Sequence, residues 1–198
     1  MTIPELQDGV LRRIDEATTT EYEGLESRYP IADFLREATR ELLLTAPLRL
    51  LPQRDFSTAE IVGSGDGSGT VALPGNFLRL ALFRLRGWLR PVFETIGTED
   101  PLYARQLNPV TRGGPAKPVA VLLRDTEGLR LQWFSLPQGI EPRIARALYV
   151  ADLAPEELPD TLSDPLCWLT ASLVLTVTNE AEAAATARQR YELTIRQR

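Results

Sequence analysis

Between Asp164 and Val177 the chain offers water no face. Leu166, Trp168, Leu169, Leu173, Val174, Leu175 and Val177 cover nearly the whole circumference of a 3.6-residue helix. A helix apolar all round is stable only when other elements enclose it, so this segment demands partners. Asp164-Pro165 reads as its start, a capping carboxylate followed by proline in the first turn. The partners are legible near the beginning of the chain. Thr2-x-x-Glu5 is a capping box, and Ile3, Leu6, Val10 and Ile14 then recur at helical spacing until the β-branched run Thr18-Thr19-Thr20. Tyr29-Pro30 opens a second helix with Ile31, Phe34, Leu35, Ala38 and Leu42 on one face, and Pro47 stops it. Asn179-x-x-Glu182 resembles another capping box. It leads into a thin helix of Ala181, Ala183, Ala184, Ala185 and Ala187, whose negative end gathers Arg188, Arg190, Arg196 and Arg198.

The middle of the chain has a different texture. Prolines 74, 91, 101, 109, 115, 118, 137 and 142 forbid long helices there. Strands are expected over 59–62 and 70–73, separated by the glycine-rich run 63–69. Further strands are expected over 78–86 and 89–96 as a hairpin about Gly87-Trp88, and over 118–124 and 129–134 about Asp125-Thr126-Glu127-Gly128. A last strand is expected over 140–150, and a short helix over 100–107. The expectation is an α+β fold: a bundle made from N- and C-terminal helices with a central antiparallel β region. It forms a single domain over 1–198, divided into N-terminal helices (1–55), β region (56–150) and C-terminal helices (151–198).

Composition narrows the chemistry. The chain of 198 residues has one cysteine, Cys167, and no histidine. An intrachain disulfide, Ser-His-Asp and Cys-His nucleophiles and histidine-bearing metal sites are therefore excluded. With 43% hydrophobic and 25% charged residues it reads as a globular protein. Net charge −5 argues against a sequence-independent grip on duplex DNA. No apolar run reaches the ~18 residues of a membrane span, and Met1-Thr2-Ile3-Pro4 does not read as a signal peptide. Lys117 is the one lysine among arginines, a bias that nucleotide composition explains better than interface chemistry.

Three motifs hold candidate chemistry. The run Gly63-Ser64-Gly65-Asp66-Gly67-Ser68-Gly69 lacks the Gly-Lys-Ser/Thr of a phosphate loop and reads as a flexible hairpin tip. Glu156, Glu157, Asp160 and Asp164 cluster before the apolar helix, where glycosidase-type acid/base work would need a close carboxylate pair; they read as a solvated loop. Arg79, Arg84, Arg86 and Arg90 surround Trp88 as in single-strand binders, although alternating arginine is usual on an exposed strand. Trp133 and Trp168 read as core anchors. No catalytic, cofactor-binding or metal residue is assigned, and no cofactor is expected.

The layout as a whole resembles tailed-bacteriophage head-to-tail connector proteins, also called adaptor, gatekeeper or ring proteins. The residues that carry the likeness are the helix 3–18 and the entry Tyr29-Pro30-Ile31-Ala32-Asp33-Phe34-Leu35-Arg36-Glu37-Ala38. They continue with Val71-Ala72-Leu73-Pro74-Gly75-Asn76-Phe77-Leu78-Arg79-Leu80, Gly87-Trp88-Leu89-Arg90-Pro91-Val92, Leu158-Pro159-Asp160 and a last helix ending in Tyr191-Glu192-Leu193. The resemblance implies a structural virion protein, not an enzyme, that sits at the head-to-tail junction after synthesis in the host cytoplasm. Its implied partners are copies of itself in a dodecameric ring, the portal protein, a tail or further ring protein, and DNA passing through the channel without specific binding; no membrane is involved. No individual functional residue is carried over. The interface candidates are Gly65, Asp66 and Gly67 on the glycine loop and Arg188, Arg190, Arg196 and Arg198 on the last helix. The competing expectation is a soluble β-rich binding or carbohydrate-active protein using carboxylates and exposed tryptophan.

Overall fold

The computed structural model describes residues 1–18, 30–126, 128–137 and 139–197. Thr19, Thr20, Tyr29, Glu127 and Arg198 lie outside the described residues. The fold is α+β, with N-terminal helices packing on C-terminal helices and central antiparallel sheets. The chain divides into two compact units, residues 1–52 with 152–198, and 53–151.

The first unit is helical. α1 (Ile3–Ala17) begins with the expected capping box: Thr2 Oγ1 accepts from Glu5 N, and Glu5 Oε2 accepts from Thr2 N at 2.7 Å. That backbone hydrogen bond from Thr2 lowers the Glu5 carboxyl below its ordinary range. α1 buries Leu6, Val10 and Ile14, and α2 (Ile31–Thr45) buries Leu35, Ala38, Leu42 and Leu43. Both stripes close on α4 (Ser163–Val177), as does α5 (Ala181–Arg196) with its alanine face. Gly9 makes room for this: a Cβ there would sit 2.7 Å from Cys167 Sγ.

Two expected helix starts are corrected. Asp164 does not cap α4, which begins at Ser163 directly after a 3-10 turn (Asp160–Leu162). Its carboxylate bridges instead to Arg13 of α1 at 2.8 Å. Asn179 does not cap α5. It takes φ +62°, with Glu180 N donating to Leu175 O at 3.0 Å and Asn179 N to Thr176 O at 3.2 Å. Those bonds close α4 by a left-handed C-terminal motif, so Asn179 ends one helix rather than starting the next. Leu173, expected inside, is half-buried.

The second unit holds, among the described residues, two antiparallel sheets. One has the order β1 (Arg54–Asp55), β7 (Ile144–Ala151), β4 (Phe77–Leu85); the other β2 (Ile61–Gly63), β3 (Gly69–Ala72), β6 (Gly128–Trp133), β5 (Ala120–Asp125). The hairpins β2–β3 and β5–β6 form as the sequence implies. The expected strand over 89–96 does not. Gly87 turns at φ +96°, but Trp88 then dives beside Phe83, their rings 5.6 Å apart and nearly perpendicular. Pro91 has no N–H to continue a ladder. β4 pairs instead with β7, about sixty residues later in the chain. What remains of 89–96 is two bridges, Val92 to Phe83 and Ile96 to Val121, which link the facing edges of the two sheets. The short α3 (Pro101–Leu107) starts where expected, with Asp100 accepting from Leu102 N at 2.8 Å.

Candidate functional site

Four loops meet at one end of the β unit: 63–69, 86–90, 108–117 and 135–142. A Cβ at Gly63 would lie 3.0 Å from Pro142, and one at Gly87 3.3 Å from Leu136 and 3.7 Å from Ile140. Leu136 N donates to Gly67 O at 3.0 Å, and Leu89 N to Pro115 O at 2.9 Å.

The glycine loop is therefore not the flexible tip that its composition suggests. Asp66 Oδ1 accepts from Ser68 N and Ser68 Oγ, at 3.0 and 2.5 Å. Arg112 reaches across to clamp it, Nη1 donating to Asp66 O at 2.8 Å and Nη2 to Asp66 Oδ2 at 3.1 Å. The same guanidinium donates through Nε to Gln106 O at 2.8 Å and lies 5.4 Å from the Phe134 ring centroid. The Ser68 hydroxyl, helped by Arg112, holds the Asp66 carboxyl below its ordinary range. Gly67 and Gly69 are both buried where a Cβ would overlap neighbours: the Leu136 carbonyl for Gly67, the Val62 carbonyl and Trp133 ring for Gly69. Of the three interface candidates here, Gly65 and Asp66 face solvent and Gly67 does not.

Beside this clamp stands a second, more exposed feature. Asn108 Oδ1 accepts from Val110 N at 2.9 Å, and Asn108 O accepts from Thr111 N and Arg112 N. Thr111 Oγ1 donates back to Arg105 O at 2.9 Å. This bonded turn holds Val110 out to solvent, 91% exposed, with Leu107 exposed beside it in sequence and Leu89, 71% exposed, on a neighbouring loop. Arg86, Arg90, Arg105 and Lys117 are exposed on or beside these loops. These exposed apolar side chains on a bonded backbone are the β unit's candidate interaction surface. No periodic pattern in the sequence marks 108–117 as a surface. Asn108-Pro109, a turn-forming dipeptide, was the available signal. Ser135 adjoins the cluster in the left-handed region, φ +72°, with its buried hydroxyl unpartnered.

The other candidates are dispersed. Arg188 is committed within the helical unit, 2.6 Å from Glu41 and stacked over Tyr191. Arg196 lies 3.8 Å from Glu192, Arg190 is exposed, and Arg198 is outside the described residues. The four carboxylates do separate jobs: Glu157 accepts from Ala154 N, Asp160 faces the N-terminal ammonium at 3.5 Å, Asp164 holds Arg13, and Glu156 is exposed. Trp88 and Trp133 are 1% exposed and Trp168 is 7% exposed. Trp88 is therefore no stacking platform for bases, and none of the three is the exposed tryptophan that a carbohydrate-binding reading requires.

Charge separates by unit. The β unit has twelve Lys and Arg against nine Asp and Glu, net +3; the helical unit has ten against eighteen, net −8. Among the described residues, no group of three or more His, Cys, Asp and Glu is placed to hold a metal ion. No helix among them is long and apolar enough to cross a membrane. No protein-family profile matches this chain, and no curated protein matches it in sequence.

Proposed function

We propose that this protein is a structural component of a phage virion, not an enzyme: a ring below the portal that joins head to tail and extends the DNA channel. The observation that carries the reading is the charge split, −8 on one compact unit and +3 on the other. A ring closes through heterologous contacts, in which each copy offers two unlike faces that complement one another. One chain bearing two oppositely charged units has that property. The α+β layout fits the connector resemblance of its sequence.

The titratable groups support an architectural role. Where a shift is resolved, the fold accounts for it. Glu5 serves a cap, Asp55 a turn through Ser57 N, Asp66 the loop clamp, and Arg13 the ion pairs to Asp164 and Glu16, which outweigh its burial. Burial pushes the Cys167 thiol up to about 11, making it a packed apolar group rather than a nucleophile. The partners in this reading are copies of the chain in a dodecameric ring, the portal, and a tail or further ring protein, with DNA passing unbound through the channel.

The test is electron microscopy of portal-bearing heads mixed with purified protein. A closed ring of added density beneath the portal is expected. Heads that gain no density there would contradict the reading.

A further inference from the structure

We propose that the 107–110 knob of the β unit docks into a groove on the helical unit of a second copy of this chain. The inference rests on the ring reading and names its subunit contact.

The groove has a volume of about 600 Å³, with Ile3, Ala32, Leu153 and Pro155 among its apolar lining and Glu37 and Glu156 exposed along it. Its arginines already have carboxylate partners, Arg40 with Asp152 and Arg36 with Asp33, each at 3.0 Å. That is the size and lining of a site for an apolar anchor. The knob is its counterpart. Val110 and Leu107 project from a turn fixed by Asn108, Thr111 and Arg112, so little ordering remains to be done when they are buried. Arg105 and Lys117, exposed on either side of that turn in sequence, are opposite in charge to Glu37 and Glu156. The units that carry knob and groove are opposite in net charge as well. Apolar anchors give such a contact its affinity, and the surrounding charges give it encounter rate and orientation. The second copy is the occupant argued for because one sequence supplies both complementary faces, and each copy would use its knob and its groove at once.

The experiment uses the full-length chain. Val110→Cys is mixed with Ala32→Cys under mild oxidation, and Val110→Cys with Arg190→Cys serves as the control pair. Cys167 stays in place because it is buried. The 110–32 disulfide is expected to form at least tenfold faster than the control. Glu37→Arg with Glu156→Arg in the groove copy should abolish that advantage, and Arg105→Glu with Lys117→Glu in the knob copy should restore it. Circular dichroism and melting of each variant check that it is folded. If the wild type self-associates but the 110–32 pair links no faster than the control, this contact is overturned and the ring reading stands. If the wild type remains monomeric, alone and on portal-bearing heads, the ring reading falls and takes this contact with it. Cross-linking of Val110→Cys to portal or tail protein instead of a second copy also overturns the contact.

Discussion

The helical unit and the β unit reach order by opposite routes. In the helical unit one apolar helix, α4, is enclosed by α1, α2 and α5, and most positions follow from periodicity along the chain. In the β unit the longest strand pairs with one about sixty residues away, and the loop end is held by side chains from separate segments. Both units bury an apolar core, but the contacts that close the first follow local helical periodicity, whereas those that close the second join segments distant in the chain. The largest expected effect sharpens that contrast. Leu169→Ala, at the fully buried centre of α4, should cost about 2–5 kcal/mol in chemical denaturation. The half-buried Leu173→Ala should cost under about 2 kcal/mol. Equal losses would mean that α4 is enclosed on all sides after all.

The glycine loop provides the matching test in the β unit. Gly67→Ala must hold a methyl group at φ +83° against the Leu136 carbonyl and should cost about 2–3 kcal/mol. Gly65→Ala, at φ +80° with open space around it, should cost about 1 kcal/mol, the left-handed strain alone. Indistinguishable melting shifts for the two would restore the picture of a free tip.

This pair also shows what was legible in the sequence. The α1 capping box, the stripes of α1 and α2 and the β2–β3 and β5–β6 hairpins all rest on spacing within one segment, and all are present. α4 is enclosed over most of its surface, with Leu173 half-buried and Val177 exposed. The β4–β7 pairing and the Asp66–Arg112 clamp rest on contacts between distant segments, which no local pattern encodes. Asn179 and Asp164 failed for a subtler reason. Each residue type suits more than one role at a helix end, and the partners decided which: the last carbonyls of α4 for Asn179, Arg13 of α1 for Asp164. Of the candidate interface residues, Gly65, Asp66, Arg190 and Arg196 are exposed, Arg188 is half-exposed but paired with Glu41, and Gly67 is buried. Val110 is not legible in the sequence because one exposed valine leaves no periodic trace.

Two smaller effects probe each unit's interior. Burial against Gly9 and Leu6 pushes the Cys167 thiol from its ordinary 9.0 up to about 11. The folded state therefore keeps its proton where the unfolded chain loses it. That contribution is complete below pH 9.0 and should fade by roughly 2 kcal/mol as pH climbs to about 11. Cys167→Ala should lack that part of the alkaline slope in denaturation curves; an unchanged slope would place the cause elsewhere. In the β unit, Ser135→Gly removes both left-handed strain and an unpartnered buried hydroxyl, so it should raise stability by about 1 kcal/mol. A loss on that substitution would show that the hydroxyl has a partner in solution.

The contrast in charge between the units underlies the proposed role, and the assembly mass of the full-length chain tests it most directly. Native mass spectrometry across a concentration series, alone and with portal-bearing heads, should give one closed species at a whole-number multiple of 22.1 kDa. A multiple of twelve would match the dodecamer expected from the resemblance. A 22.1 kDa monomer under every condition would contradict the account.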